Sequence, residues 1–305
     1  MGLLQRLLVT LLLALALPMA RAAQVALVMS EDGSAFGEAA DAVSAELRNG
    51  GHRVQTLPYP LRAEDTPTLN SSALIVTLGT RAAQGVAALG PRAPVLYALL
   101  PRSTYERLPH RTDDGRRYSA VFIDQPASRQ IELLRLALPD WSRLALLTGR
   151  DSAELGSRLQ GVARERKLRP VLAQVSEESE LYPTLQRVLA EPTILLALPD
   201  SSLYNNRTIS NILLTAYHQR SPVVGFSPAY VKAGALLALF STPAQVGQQA
   251  GEAARQGLAT GILPPPASPR QFRVSTNPYV ARSLGIMLDE PGLLKERLER
   301  QEAGQ

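Results

Sequence analysis

Short apolar runs alternate with amphipathic stretches along most of the chain. Runs such as residues 73–78 (ALIVTL) and 193–198 (TILLAL) carry almost no polar position, which is typical of parallel strands covered on both faces. Between the runs, apolar residues recur at helical spacing, as Phe36, Ala39 and Val43 do. Strands that alternate with helices predict right-handed crossovers and parallel sheets, the architecture of an α/β protein.

The same pattern predicts about ten to twelve strands, too many for one open sheet. The predicted strands are residues 24–30, 52–57, 73–78, 94–100, 118–123, 143–148, 171–175, 193–198, 223–225, 235–240 and 271–276. We therefore expect two sheets of roughly five or six strands, each in its own lobe. Both halves share the strand–helix rhythm, so the two lobes should be similar. An Asp151–Glu154 capping box and a Thr242-Pro243 cap each predict the start of a helix.

The first 22 residues have the features of a signal peptide. Arg6 precedes the apolar run of residues 7–17, Pro18 ends that run, and Ala20 and Ala22 fit the small-x-small cleavage rule. We expect cleavage before Ala23 and a mature protein free in the periplasm; an uncleaved membrane anchor is the alternative. The chain has no cysteine, so we expect neither disulfides nor lipid attachment at the cleavage site.

Charge and histidine spacing argue against several classes of function. The formal net charge is +5, and removal of the leader lowers it by two. Acidic and basic residues interleave, and aromatic residues do not accompany the basic clusters, so we expect no nucleic-acid partner. The three histidines lie far apart and match no metal-ligand spacing, so neither a metal nor another cofactor is expected. No nucleophile elbow or phosphate-binding loop is present, so catalysis is not expected.

Polar residues follow the predicted strands at the edge where open α/β sheets bind ligands. The candidate ligand-binding residues are Ser30, Asp32, Gly79, Thr80, Arg81, Asp124, Gln125, Gly149, Arg150, Asp200, Ser201, Phe226 and Ser227. Helix N-termini after Gly79 and Gly149, with Arg81 and Arg150 beside them, would favour an anionic group. Each of these residues can also be an ordinary polar loop residue at a strand end that contacts no ligand. A further alternative is that Asp124 and Asp200 act as an acid–base pair.

Several segments of the carboxyl-terminal half have a familiar order and spacing. They are QPASRQIELLRLALP from Gln125, LPD ending at Asp200, PVVG from Pro222, VKAGALLALFSTPAQVGQQAG from Val231, and NPYVARSLGI from Asn277. In these segments the chain resembles the substrate-binding proteins of ABC transporters with the type I periplasmic-binding-protein fold. Within that family it is most similar to the subgroup that includes tryptophan- and tyrosine-binding members.

The resemblance implies two lobes joined by three crossover segments, with a ligand cleft between them. The crossings would fall near residues 123–125, 226–230 and 270–272. The first lobe would then comprise residues 23–123 and 229–270, and the second residues 124–228 and 271–290, followed by a charged tail at residues 291–305. Asp124 and Gln125 would lie at the back of the cleft, where they touch ligand or lock the hinge; a plain helix start capped by Asp124 is the alternative.

The resemblance also implies a function without chemistry. A small molecule, amino-acid-like or anionic, would close the two lobes, and the closed form would dock on an ABC permease in the inner membrane. An accessory or sensor protein of the same fold is the main alternative, and a periplasmic enzyme is a weaker one. The few aromatic residues expected near the cleft edges are Phe36, Tyr97, Tyr204, Phe226 and Tyr230.

Overall fold

The structure, a computed structural model, describes residues 22–109 and 117–304. Strands and helices alternate there and gather into two separate sheets. The predicted leader lies outside the described residues apart from residue 22, so the signal peptide stays a prediction. None of the helices in these two ranges combines the length and the apolar character that crossing a bilayer requires.

The first lobe contains a five-stranded parallel sheet in the order β2-β1-β3-β4-β5. Its strands are β1 (Gln24–Met29), β2 (Arg53–Leu57), β3 (Leu74–Leu78), β4 (Val95–Leu100) and β5 (Tyr118–Phe122). The helices between them are α1 (Ser34–Asn49), α2 (Thr66–Ser71), α3 (Thr80–Leu89) and α4 (Arg102–Arg107), with a short 3-10 turn at Ala63–Asp65. Every residue of β3 is buried, as its unbroken apolar run predicts.

The second lobe contains a six-stranded sheet in the order β11-β10-β9-β8-β6-β7. Its strands are β6 (Arg143–Thr148), β7 (Arg169–Gln174), β8 (Ile194–Leu196), β9 (Val223–Gly225), β10 (Leu237–Phe240) and β11 (Arg273–Thr276). Its helices are α5 (Ala127–Ala137), α6 (Ala153–Glu165), α7 (Glu178–Val188), α8 (Ile209–His218), α9 (Pro228–Ala233), α11 (Pro278–Leu284) and α12 (Pro291–Ala303). The prediction of two α/β lobes is confirmed. Strand β11 alone runs antiparallel to its neighbour, because the chain enters it from the other lobe.

The two lobes repeat one strand order. In the first sheet β1 lies between β2 and β3, and in the second sheet β6 lies between β7 and β8. In both lobes the chain therefore leaves its first strand toward one side of the sheet and later returns to the other side. That reversal creates a topological switch point, between β1 and β3 in one lobe and between β6 and β8 in the other.

The chain passes between the lobes at three places. The first crossing joins β5 to α5, and the third comprises residues 268–272, which lead into β11. The second crossing is at Ser241-Thr242, where β10 ends and α10 (Pro243–Thr260) begins. Helix α10 packs closely on α1, since the Cα of Gly247 faces the backbone of Ala39 with no room for a Cβ.

The predicted position of the second crossing, residues 226–230, is wrong. Strand β10 pairs with β9 through Leu237 and Val224 and with β11 on its other side, so residues 229–240 belong to the second lobe. The predicted assignment of residues 229–240 to the first lobe is therefore wrong. The run of residues 235–240 is apolar at every position and could be buried in either sheet, so only its pairing with β9 and β11 assigns it to the second lobe.

The charged tail predicted at residues 291–305 is instead part of the second lobe. Helix α12 turns Leu294 and Leu298 into the core, where both are fully buried. Glu302, near its end, forms an ion pair with Arg129 of α5. Two leucines at i, i+4 spacing provide a narrow apolar stripe, which is enough to dock a helix whose other faces are charged.

Candidate functional site

The two switch points face each other across a cleft of about 560 Å³. The cleft is lined from the first lobe by the loops after β1, β3 and β4, and from the second lobe by the loops after β6, β8 and β9. Parallel strands present their carboxyl ends at one edge, so the loops of each lobe gather at that edge. The volume lies within the range typical of small-molecule sites.

The wall from the first lobe is built around Gly79. Its φ of 91° is in the left-handed region, and a Cβ there would lie 2.5 Å from the Ser30 hydroxyl and 2.6 Å from the Phe36 ring. Only glycine fits this turn between β3 and α3. The Ser30 Oγ accepts a hydrogen bond of 2.9 Å from the backbone N–H of Ala82, so Ser30 stabilises the start of α3.

Charged side chains in the cleft are paired within the protein. Arg81 forms an ion pair with Glu31 on the first lobe, and Arg107 lies 3.2 Å from Asp151 of the second lobe. Asp151 therefore does not cap α6 as predicted; that helix begins at Ala153, after Ser152. The Asp151 carboxylate instead forms the ion pair with Arg107 across the cleft.

Asp200 anchors the wall from the second lobe. Its buried carboxylate accepts hydrogen bonds from the Ser202 hydroxyl at 2.6 Å, from the Ser152 hydroxyl at 2.8 Å and from the Gly149 N–H at 3.1 Å. Burial by itself would raise the pKa of Asp200, but hydrogen bonds from Ser202 and Ser152 outweigh it and lower the pKa below its usual value. Asp200 thus stays ionised and holds the loops after β6 and β8 together.

Aromatic and aliphatic side chains complete the cleft. Phe36 comes from one lobe and Phe226 and Tyr204 from the other, with the Tyr204 and Phe226 rings edge to face at 6.4 Å. The Tyr204 hydroxyl is buried and finds no hydrogen-bond partner among the described residues, and burial raises its pKa. Leu99 also lines the cleft, at a bulge in β4 where its φ is 55°, a rare value for leucine. The other two aromatic candidates, Tyr97 and Tyr230, are core residues.

Asp124 and Gln125 lie behind the cleft, in the hinge. The Asp124 carboxylate accepts a hydrogen bond of 2.6 Å from the backbone N–H of Arg102, the first residue of α4. Burial raises the pKa of Asp124, and the hydrogen bond from Arg102 opposes that rise. The Gln125 amide donates to the Ser241 hydroxyl at 2.8 Å, and Ser241 in turn donates to the backbone carbonyl of Gln271. These contacts join all three crossings.

Arg129 is the centre of this hinge. Its guanidinium donates to the Gln125 side chain at 2.9 Å and to the Pro269 carbonyl at 2.8 Å, in the first and third crossings. It also contacts both carboxylate oxygens of Glu302, at 2.6 and 3.0 Å, and lies over the Phe272 ring at 4.4 Å. The side chain is buried, so these contacts are shielded from water. Sequence reasoning missed Arg129. The available signal was its i, i+4 spacing from Leu133, which places it beside a buried leucine of α5.

The structure brings about half of the predicted residues to the cleft. Those that line it are Ser30, Gly79, Thr80, Arg81, Asp200, Ser201 and Phe226. Asp32 and Arg150 are exposed outside it, Gly149 and Ser227 lie beside it, and Asp124 and Gln125 belong to the hinge. The rule that ligands bind at the carboxyl ends of parallel strands, called here the strand-end rule, locates the loops but does not give the direction of each side chain. Ligand contact at each position stays a prediction.

Several lining residues were not predicted. They are Gln84, Leu99, Pro101, Ser103, Thr104, Arg107, Ile123, Asp151 and Pro199. Phe36 and Tyr204, which were expected near the cleft edges, also line it. The loop after β4 supplies many of them, and applying the strand-end rule to β4 would have found them. Gln84 is one helical turn after Thr80 and could have been found from that spacing. In the described part of the chain, no three side chains of the metal-ligating types come together.

Two similar lobes, opposed switch points and a hinge of three chain crossings define a two-lobed binding protein. The family model for ABC transporter substrate binding proteins matches residues 68–296, and the chain belongs to that family. A comparison with curated proteins found no match.

Solved structures share the fold over nearly their whole length. An L-Trp complex of an ABC domain from Streptococcus pneumonia is 17% identical, covers 90% of this chain and 98% of its own, with a TM-score of 0.63. A ligand-free, open substrate binding protein with adhesive properties from Clostridium difficile is 15% identical, with coverages of 88% and 96% and a TM-score of 0.69. A periplasmic ribose ABC transporter protein from Conexibacter woesei is 14% identical, with coverages of 90% and 97% and a TM-score of 0.57. At these identities the likeness shows the fold alone.

Proposed function

We propose that this protein is the periplasmic solute-binding component of an ABC transporter, exported by a cleaved signal peptide. In this proposal a small molecule enters the cleft, contacts both lobes and stabilises their closed arrangement, which docks on an inner-membrane permease. The observation that carries the proposal is the cleft itself, formed by two opposed switch points above a hinge of three crossings. A ligand that touches both lobes binds the closed form better than the open form, and that difference drives closure.

The hinge supports closure as the working motion. Gln125, Ser241 and Arg129 link the three crossings to one another by side-chain hydrogen bonds. Such a network keeps the crossings in register while the lobes rotate as rigid bodies. The lobes have separate hydrophobic cores, so a rotation between them leaves both cores packed.

The chemistry of the cleft favours a small amino-acid-like ligand over a strongly charged one. The charged side chains Arg81 and Arg107 are already paired with carboxylates, and Asp200 accepts hydrogen bonds from neighbouring loops. A ligand carboxylate would bind at the N-terminus of α3, and an apolar side chain of the ligand would contact Phe36 and Phe226. One of the similar structures holds L-Trp, which agrees with this class but does not identify the ligand here.

A thermal-shift screen tests the proposal. The chain from residue 23 is heated with amino acids, small peptides, sugars, nucleosides and organic anions. A ligand at a hundredfold excess over its Kd adds about 2.7 kcal/mol to the free energy of unfolding and raises the melting temperature. We expect a shift with amino acids. Turnover of a compound by the purified protein would contradict the proposal.

Uptake measurements separate the transport role from the main alternative. In the source organism, loss of this protein should abolish accumulation of the ligand that the screen identifies. If the ligand binds but its accumulation is unchanged, the protein is an accessory or sensor protein of the same fold.

A further inference from the structure

A left-handed backbone sets Leu99 apart from the other side chains that line the cleft. Among the described residues, three that are not glycine have a φ in this region: Leu99 at 55°, Lys167 at 63° and Arg220 at 51°. Lys167 and Arg220 are exposed and directly follow the caps of α6 and α8, where a left-handed residue closes the helix end. Leu99 instead lies within strand β4 and lines the cleft, so no helix end accounts for its conformation.

The conformation of Leu99 comes from the bulge in β4. Ala98 pairs with Val121 of β5, and Leu100 pairs with Phe122, so the residue between them is an extra one with no counterpart on β5. The side chains of Ala98 and Leu99 consequently both pack against the core on one face of the sheet, where regular alternation would separate them. A bulge redirects a side chain in this way, and here the redirected side chain lies near the carboxyl end of the strand, beside the cleft.

Leucine is an unfavourable residue for this backbone conformation. In the left-handed region the Cβ of an L-residue crowds the following carbonyl oxygen, a contact that glycine avoids and asparagine tolerates better. At Gly79, which is also left-handed and also part of the cleft wall, the chain does use glycine. A bulky side chain retained in a strained conformation at the wall of a site indicates that the side chain itself has a role there.

The surroundings of Leu99 show what it offers to a ligand. Its side chain is partly buried: it packs on the core of the first lobe and also borders the cleft. Phe36 and Ile123 line the same cleft, as does Phe226 from the second lobe, so Leu99 adds to the apolar part of the lining. A ligand side chain that meets this part of the lining gains by being apolar, whereas a polar one loses its water there without gaining a hydrogen bond from leucine.

We propose that Leu99 is a specificity-determining residue, held at the cleft by the bulge in β4, that selects ligands with an apolar side chain over polar ligands of the same shape. The inference rests on the proposed function, because it requires an amino acid in the cleft, and it names the residue that decides which amino acids bind. If Leu99 only filled space in the core, replacing it would change stability and leave the order of ligand affinities as it was.

Isothermal titration with shape-matched amino acids tests this role. The protein is produced from the full chain and titrated with L-leucine against L-asparagine and with L-methionine against L-glutamine; L-phenylalanine and L-tryptophan are larger apolar probes. In Leu99→Asn the side chain keeps its approximate size and suits the left-handed backbone but becomes polar. We expect the parent to bind the best apolar probe more tightly than the best polar one. The ratio of these two affinities should fall at least about tenfold in Leu99→Asn, since one methylene in an apolar pocket changes discrimination about 10–200-fold.

Two further variants make the test specific. Leu99→Gly removes the side chain and suits the backbone, so it should lose the preference for apolar probes as well, and it replaces Leu99→Asn if that variant does not fold. Lys167→Asn is the matched control, because it relieves the same backbone conformation at the end of α6 that lies away from the cleft. It should keep the order of affinities of the parent. Melting temperatures without ligand establish that each variant is folded.

Two results would overturn the inference about Leu99 alone: a parent that binds polar probes at least as tightly as apolar ones, or an unchanged ratio of affinities in the folded Leu99 variants. In both cases an amino acid still binds, so the solute-binding function stands. A parent that binds only a sugar or a nucleoside in the thermal-shift screen would likewise overturn the inference and leave solute binding intact. Silence of the parent toward every compound in both experiments would contradict the proposed function, and the inference with it.

Discussion

Replacing Arg129 with methionine tests the hinge that joins the lobes. The change removes the guanidinium but keeps an unbranched apolar chain of similar reach over Phe272. It leaves the Gln125 side chain, the Pro269 carbonyl and Glu302 without their shared donor. Breaking a buried ion pair by removing one partner costs about 3–5 kcal/mol. The Glu302 side chain is 31% exposed, so water recovers part of its solvation, and the expected loss is about 3 kcal/mol.

Urea unfolding followed by tryptophan fluorescence measures this loss. The chain has one tryptophan, Trp141, which packs against the core of the second lobe next to α5. Arg300→Met is the matched control, because Arg300 lies on α12 in an ion pair with Glu296 that is exposed on both sides. Exposed pairs contribute about 0–1 kcal/mol. If Arg129→Met costs no more than Arg300→Met, Arg129 is not the centre of the hinge.

Three further substitutions test separate parts of the structure. Because burial raises the pKa of Asp124, Asp124→Asn should be at least as stable as the parent at neutral pH, and the stability of the parent should increase relative to the variant as the pH falls. Thermal unfolding measured against pH tests this, and a loss of stability in the variant that does not change with pH would contradict it. Tyr204→Phe removes an unpartnered hydroxyl, so its melting temperature should not fall; a loss above about 1 kcal/mol would reveal a partner. Gly247→Ala places a Cβ 2.4 Å from the Ala39 carbonyl and should cost about 1–3 kcal/mol in urea unfolding, whereas Gly161→Ala, with open space around it, should stabilise α6.

Local patterns were enough to find the strands and the longer helices, but not the short helices α2, α4 and α9, and they did not assign every strand to a lobe. The apolar run at residues 235–240 was predicted as a strand and forms β10. Its sheet is decided by pairing between Leu237 and Val224 and between Leu237 and Thr276, residues that are far apart in the chain. Nothing in the run itself distinguishes the two sheets, so the second crossing was placed too early.

Helix α12 was expected only as a charged tail, a surface helix that frays, so its docking on the second lobe was missed. Its sequence is dominated by charged residues, and only Leu294 and Leu298 mark a buried stripe. Whether so narrow a stripe docks or frays depends on a matching groove, which α5 and the ion pair of Arg129 with Glu302 provide. That complementarity exists only in the folded chain.

The candidate site shows the same limit. Asp200 and Gln125 were both predicted at strand ends, where their polarity is compatible with ligand contact or with an internal role. Asp200 proves to be surrounded by donors from Gly149, Ser152 and Ser202, and Gln125 by groups of the other crossings. A sequence states which polar groups are present but not which partners satisfy them.

The central claim is that a small ligand binds in the cleft between the lobes. Isothermal titration of the best ligand from the thermal-shift screen into the parent and into Thr80→Trp tests it most directly, because Thr80 lines the cleft and is not part of the hinge. The account predicts one ligand per chain in the parent and loss of binding in Thr80→Trp, with an unchanged melting temperature in the absence of ligand. Equal affinity in the two proteins would place the ligand elsewhere and contradict the account.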